Sequence, residues 1–244
     1  MDALVVGAGE MGTWLGGVVS DAGFDSVAFT DVDPDRAATA AATHPEGRTA
    51  AMDGDETFEL VCVAVPLPAA TETIAAVAGR AGRALIDVTG RMAGPVRAMR
   101  RVAPECERVS LHPLFAPEAE PGNVAVVADD PGPVTDEVRT ALSDRGNDCF
   151  RTTPAEHDRA METVQAKCHA AVLAYALAAD DVPERFHTPV SAGLADLVAT
   201  VTGNESRVYA DIQAAFDGAD AVAESARRLA DADRETFRRL YERL

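Results

Sequence analysis

Histidine is the side chain best suited to exchanging a proton near neutral pH, and this sequence contains five. His112 ends an apolar run, Val109-Ser110-Leu111, and is followed directly by Pro113. An imidazole at the end of a strand, with an ordinary pKa of about 6.5, suits the removal of a hydroxyl proton. The alternative is that a His-Pro pair simply terminates the strand. A second group comprises Glu156-His157-Asp158 followed by Met161, Gln165 and His169. Residues four apart advance about 40° around a helix, so His157, Met161, Gln165 and His169 fall on one slanted stripe. Two histidines and a glutamine on an otherwise apolar stripe fit a polar pocket. A buried stripe with satisfied polar groups, or a subunit seam, fits as well.

Chemistry of another kind is written into the N-terminus. An apolar strand, Ala3 to Val6, runs into Gly7-Ala8-Gly9-Glu10-Met11-Gly12, and a helix of small residues follows from Thr13. In this G-x-G-x-x-G pattern Gly7 permits a tight turn, Gly9 lets a pyrophosphate approach the backbone, and Gly12 lets helix and strand pack closely. The phosphates then meet the unpaired N–H groups and positive end of the helix. Nineteen residues after Gly12, Asp31 closes a second strand, Ser26 to Asp31. A carboxylate there accepts hydrogen bonds from a ribose 2′-hydroxyl and repels a 2′-phosphate, with Asp33 and Asp35 adding to the repulsion. Arg36 is the one neighbour that favours the phosphate. The expected cofactor is therefore NAD rather than NADP.

These residues need a frame, and the chain supplies a regular one. A helix from Pro34 to about Thr43 is followed by a buried strand, Phe58 to Val65, stopped by Pro66. A helix near 69–78, a strand at 83–88, a short helix at 94–101 and the strand carrying His112 come next. Val124 to Ala128, a helix near 134–145 and Cys149-Phe150-Arg151 complete the alternation. Strand and helix alternating with short connections predict a doubly wound parallel sheet of the Rossmann type. Beyond Pro154 no strand pattern persists, and helices are predicted over 155–180, 189–201, 205–216 and 219–244. Two domains follow: 1–153 for dinucleotide binding, and 154–244, all-α, for substrate and dimerisation. The apolar stretch Ala170 to Leu177 is too extensive for a small helical domain to hide alone, so a partner subunit is expected.

Composition narrows the partners. Forty acidic residues face 22 basic ones, Lys167 is the sole lysine, and the net charge is −18. Nucleic acid and anionic membranes are excluded as partners by repulsion. The acids are dispersed, as in a surface adapted to solvent, and the near absence of lysine resembles proteins of salt-loving organisms. No run approaches the roughly 20 apolar residues of a membrane span, and nothing reads as a signal peptide, so a soluble cytoplasmic protein is expected. Cys62, Cys106, Cys149 and Cys168 lie far apart with no C-x-x-C. They read as buried free thiols, with neither metal site nor disulfide.

Taken together, the motifs resemble those of prephenate dehydrogenases, the NAD-dependent enzymes of tyrosine biosynthesis. The matching pieces are GAGEMG at 7–12, AVP at 64–66, DVTGRMAGP at 87–95, SLHPLFAPE at 110–118, EHDRAMETVQAKCH at 156–169 and VYADI at 208–212. They cover both domains in order. The resemblance implies that Gly7, Gly9, Glu10, Met11, Gly12, Asp31, Val65 and Pro66 surround the cofactor, and that His112 is the catalytic base. It further implies that His169 lines the substrate pocket, with Gln165 beside it, and that His157 is the family's EHD histidine, counted here as a substrate contact. Two positions depart from the pattern. Gly90 stands where the family has a serine that contacts substrate and catalytic histidine, and Thr200 falls near the place of a substrate-binding arginine. Arg91, Arg159, Lys167 or Arg207 is then expected to supply the missing cation. The implied reaction is oxidative decarboxylation of prephenate to 4-hydroxyphenylpyruvate. Arogenate, another hydroxy acid, or a non-catalytic dinucleotide-binding role stand as alternatives.

Overall fold

The computed structural model describes residues 1–244, which form two compact units, Met1–Asp158 and Arg159–Leu244. The division falls just beyond the expected boundary at 153. The reason is local: the first helical turn after Pro154 carries His157 and Asp158, and both are hydrogen-bonded within the first unit.

The first unit is built on strands β1 (Asp2–Val6), β2 (Ser26–Thr30), β3 (Gly47–Thr49), β4 (Phe58–Val63), β5 (Ala81–Asp87), β6 (Glu107–Pro113), β7 (Asn123–Asp130) and β8 (Asp148–Arg151). Helices α1 (Glu10–Asp21), α2 (Pro34–Ala42), α3 (Ala70–Val77), α4 (Ala93–Val102) and α5 (Pro133–Asp144) connect them. The sheet order is β3-β2-β1-β4-β5-β6-β7-β8. Every pair is parallel except β6 with β7, which pairs antiparallel with His112 opposite Ala125. That pair departs from the all-parallel expectation because residues 114–122 contain only a short turn and no crossover helix. Without a crossover the next strand must return in the opposite sense. The three-residue β3 was not foreseen; Gly47-Arg48-Thr49 is too short and too polar to show a period.

Strand residues alternate between two cores, as a sheet covered on both faces requires. Val5, Leu60, Cys62, Ile86 and Leu111 pack with Trp14, Leu15 and Val18 of α1 and with Val138 and Leu142 of α5. Leu4, Val6, Val61, Val63 and Leu85 pack instead with Ile74 of α3 and Val96 and Met99 of α4. Pro34 opens α2, whose first turn is capped by the Asp33 carboxylate accepting from Asp35 N–H at 3.0 Å.

The second unit is all-helical. Helix α6 (Pro154–Met161), whose first residues through Asp158 belong to the first unit, leads into a π-helical turn, Glu162–Lys167, and α7 (Cys168–Ala178) continues from it. Helices α8 (Pro189–Thr202), α9 (Ser206–Ala215), α10 (Gly218–Ala230) and α11 (Arg234–Tyr241) follow. The single helix predicted over 219–244 is broken because Asp233 accepts from Thr236 N–H at 2.8 Å and starts a new one. Of the four free cysteines, Cys62 is buried in β4, and burial pushes its thiol up. Cys168 is exposed, contrary to the expectation of buried thiols. No helix is long and apolar enough to cross a membrane.

Candidate active site

Three strand ends meet at the glycine turn. Gly7 N–H donates to Thr30 O at 2.8 Å, and Ala64 N–H donates to Val6 O at 2.8 Å. Gly7 adopts φ +96°, and a Cβ there would lie 2.3 Å from Ala64 O and 3.1 Å from Val65 Cγ1. A Cβ on Gly12 would lie 1.8 Å from Gly7 O, whereas one on Gly9 would meet nothing within 4 Å. Two glycines therefore close the turn sterically, while the third keeps an open approach to the backbone at the start of α1. Glu10 and Met11 form the first helical residues beyond Gly9. Pro66 is exposed just past Val65.

Asp31 is fixed by the same turn. Its Oδ2 accepts from Ala8 N–H at 2.7 Å and its Oδ1 from Asp33 N–H at 2.9 Å. Each oxygen keeps a second lone pair, which suits a ribose diol. Arg36 Nε leans to within 3.7 Å of the Asp33 carboxylate. The open backbone at Gly9, the N-terminus of α1 and the oriented Asp31 carboxylate fit a dinucleotide.

At the end of β6, His112 is 7% exposed. Its Nδ1 lies 2.8 Å from His157 Nε2, with the two rings edge to face. His157, 3% exposed, sits in the first turn of α6, and its Nδ1 lies 3.0 Å from Asp158 Oδ1. Asp158 also accepts from the N–H groups of Met92 at 2.9 Å and Ala93 at 3.2 Å, where α4 begins. Arg91 Nε is 3.7 Å from its other oxygen. Burial opposes the Asp158 charge, but the hydrogen bonds from His157, Met92 and Ala93 outweigh it and hold this carboxyl below its ordinary value. Burial pulls His112 down to about 3; neighbouring His157 lowers it further, and Asp158 works the other way.

Both nitrogens of His157 are thus engaged, one by His112 and the other by Asp158. A Cβ on Gly90 would stand 3.5 Å from His112 Nε2 and 3.6 Å from Leu67 Cδ1, ordinary contact distances. The turn carrying Gly90 is fastened by Asp87, whose Oδ2 accepts from Thr89 Oγ1 at 2.6 Å and from Thr89 N–H at 3.2 Å. Burial pushes the Asp87 carboxyl up to about 7, against the hydrogen bonds from Thr89. Sequence reasoning missed Asp87 and Asp158 as site residues. The adjacency of Asp158 to His157 was the available signal.

On the helical unit, His169 lies edge to face with Tyr209 at 4.8 Å between ring centroids. Burial lowers its pKa. The π turn lengthens the helical repeat, so the four-residue spacing that aligned Gln165 and His169 with the residues before it no longer applies. Gln213 Nε2 donates to Ala166 O at 2.9 Å, satisfying a carbonyl within the turn. A Cβ on Gly218 would lie 2.6 Å from Ala166 C. Among the cations expected to replace the missing arginine, Lys167 pairs with Glu162 at 2.9 Å and Arg207 with Glu205 at 3.6 Å, while Arg159 is exposed.

No family model matches the chain. A relative 31% identical over 209 residues, 76% of this chain and 69% of that protein, is the 4-amino-4-deoxyprephenate dehydrogenase of Streptomyces pristinaespiralis. Among solved structures, prephenate dehydrogenase from A. aeolicus, in complex with hydroxyphenyl propionate and NAD+, superposes with a TM-score of 0.72 at 16% identity, over 99% of this chain and 92% of that one. Synechocystis arogenate dehydrogenase gives 0.64 at 15% identity, over 100% and 97%. These structural likenesses establish a shared fold. With a relative of that identity and coverage, the chain belongs to the family of prephenate-dehydrogenase-type enzymes.

Proposed function

We propose that the protein is an NAD-dependent dehydrogenase that oxidatively decarboxylates prephenate. The observation that carries this reading is His112, an imidazole at the carboxyl edge of the sheet whose Nδ1 is engaged by His157 at 2.8 Å. Its Nε2 is then the nitrogen that can take a proton. The N–H groups of α1 hold the pyrophosphate and Asp31 holds the ribose. NAD+, when bound, supplies the hydride acceptor. His112 removes the proton of the substrate's C4 hydroxyl as that carbon is oxidised. Loss of the ring carboxylate as carbon dioxide leaves an aromatic ring, 4-hydroxyphenylpyruvate, and makes the reaction effectively irreversible. Gly90 borders His112 and Arg91 borders Asp158; both are the substrate contacts of this unit, and the resemblance assigns contacts also to Gln165 and His169.

A second reading, in which the substrate carries an amino group at C4, is supported by the 4-amino-4-deoxyprephenate dehydrogenase relative and by the room that Gly90 leaves beside His112 Nε2. Purified protein in molar salt with NAD+ and each of prephenate, arogenate and 4-amino-4-deoxyprephenate, followed by NADH absorbance, decides among them. The largest kcat/KM with prephenate supports the first reading. Turnover only with the amino compound replaces it, and no turnover despite NAD+ binding points to a non-catalytic role.

The helical unit exposes Leu177 (90%), Val190 (74%) and Phe186 (66%). Large apolar side chains so exposed support a homodimer in which a second copy covers them. Light scattering that returns the mass of a single 25.5 kDa chain would reject it.

A further inference from the structure

A buried imidazole is a poor place to leave a positive charge. Desolvation penalises the protonated ring, and an imidazole held as low as His112 would by itself accept a proton weakly near neutrality. His112, however, begins a chain of hydrogen bonds whose directions are dictated from its far end. The backbone N–H groups of Met92 and Ala93 can only donate, so Asp158 accepts from both. An ionised carboxylate only accepts, so His157 Nδ1, 3.0 Å away, carries a hydrogen. The neutral His157 ring then has its lone pair on Nε2, and the hydrogen in the 2.8 Å contact between the rings belongs to His112 Nδ1. By elimination the lone pair of His112 lies on Nε2, the nitrogen beside Gly90.

We propose that His157 and Asp158 form a proton relay behind His112, so that the charge created when His112 takes a substrate proton comes to rest on His157. The inference rests on the reading of His112 as the base. An N–H bond forms at His112 Nε2 as the substrate O–H bond breaks. The N–H bond at His112 Nδ1 breaks as one forms at His157 Nε2. His112 ends neutral in its opposite tautomer, and one positive charge sits on His157 against the Asp158 carboxylate. Asp158 remains ionised throughout because the first N–H groups of α4 donate to it and the helix dipole favours a negative charge there. Arg91, at 3.7 Å, acts in the same sense. The proton returns by the reverse path after product leaves. His157 and Asp158 are positioning residues in this scheme, since neither has to touch the substrate.

Two measurements on the full chain test the relay. Nitrogen-15 NMR of histidine-labelled protein without substrate should show Nδ1–H tautomers at both His112 and His157; an Nε2–H tautomer at His112 would overturn the proposal without reference to activity. His157→Gln offers a carbonyl oxygen to His112 Nδ1 and preserves its orientation, but cannot accept a proton. Single-turnover hydride transfer should fall about 10²- to 10³-fold in that variant, with NAD+ affinity unchanged. The solvent-isotope proton inventory should change from bowed, with two protons moving, to linear. Asp158→Asn, which keeps an acceptor for His157 but loses the charge, should fall at least about tenfold. Undiminished turnover in folded His157→Gln overturns the relay alone. Absence of turnover in the wild-type protein with NAD+ bound overturns the dehydrogenase reading and the relay with it.

Discussion

Gly12 packs directly on the carbonyl of Gly7: a methyl group on Gly12 would lie 1.8 Å from that oxygen. Neither partner is a flexible side chain, so the backbone itself would have to give. Gly12→Ala is expected to destabilise the protein by about 1–3 kcal/mol, measured by urea unfolding, the range seen for overpacking. Gly9→Ala should behave oppositely. Its methyl meets nothing within 4 Å, so the melting temperature should hold while calorimetry shows NAD+ binding weakened at least about tenfold by the blocked approach to the backbone.

Asp31 is tied to both the glycine turn and the start of α2. Asp31→Asn keeps an acceptor but removes the charge. NAD+ affinity should drop about tenfold, as expected for a weakened charge-assisted hydrogen bond, and the discrimination against NADP+ should shrink. An unchanged ratio of the two dissociation constants would remove Asp31 from cofactor selection.

Asp87 gives stability a pH dependence of unusual sign. Its carboxyl is raised from 3.8 to about 7 by burial. Between those values the folded state keeps a proton that the unfolded chain releases, so this contribution to stability is complete below about pH 4 and is lost as pH rises through 7. Asp87→Asn mimics the protonated form. The difference in unfolding free energy between variant and wild type should therefore grow in favour of the variant from pH 5 to pH 8. A pH-independent difference would show that Asp87 titrates normally.

Gly90→Ser is sterically permitted, with the new Cβ 3.5 Å from His112 Nε2. Its hydroxyl would offer a hydrogen-bond partner to His112 and to a C4 oxygen alike. The stability change should stay under about 1 kcal/mol, and the ratio of kcat/KM for prephenate to that for the 4-amino compound should rise about tenfold, one good hydrogen bond's worth.

Much of this arrangement could be read from residue order. The glycine turn, Asp31 and the strand ending at His112 announce themselves because each depends on local chemistry: backbone freedom, a carboxylate at a strand end, a proline stop. What escaped reading depends on contacts between distant residues. Nothing near Val124 says that β7 runs antiparallel; that follows from the missing helix in residues 114–122. The π turn at Glu162–Lys167 has the composition of an ordinary helix, and the Gln213 side chain that satisfies its Ala166 carbonyl comes from another helix. The contact between His157 and His112 was equally hidden, because the two residues lie 45 positions apart.

The loop between β6 and β7 braces the helix that follows the glycine turn. Phe115 meets the edge of Trp14 at 5.7 Å. Glu120, brought down to about 2 chiefly by Arg145, shares that arginine with Asp21 at the end of α1. Through these contacts both ends of α1 are braced against the segment that follows the strand carrying His112, so a change at Arg145 or Phe115 would loosen the glycine turn and the end of β6 together.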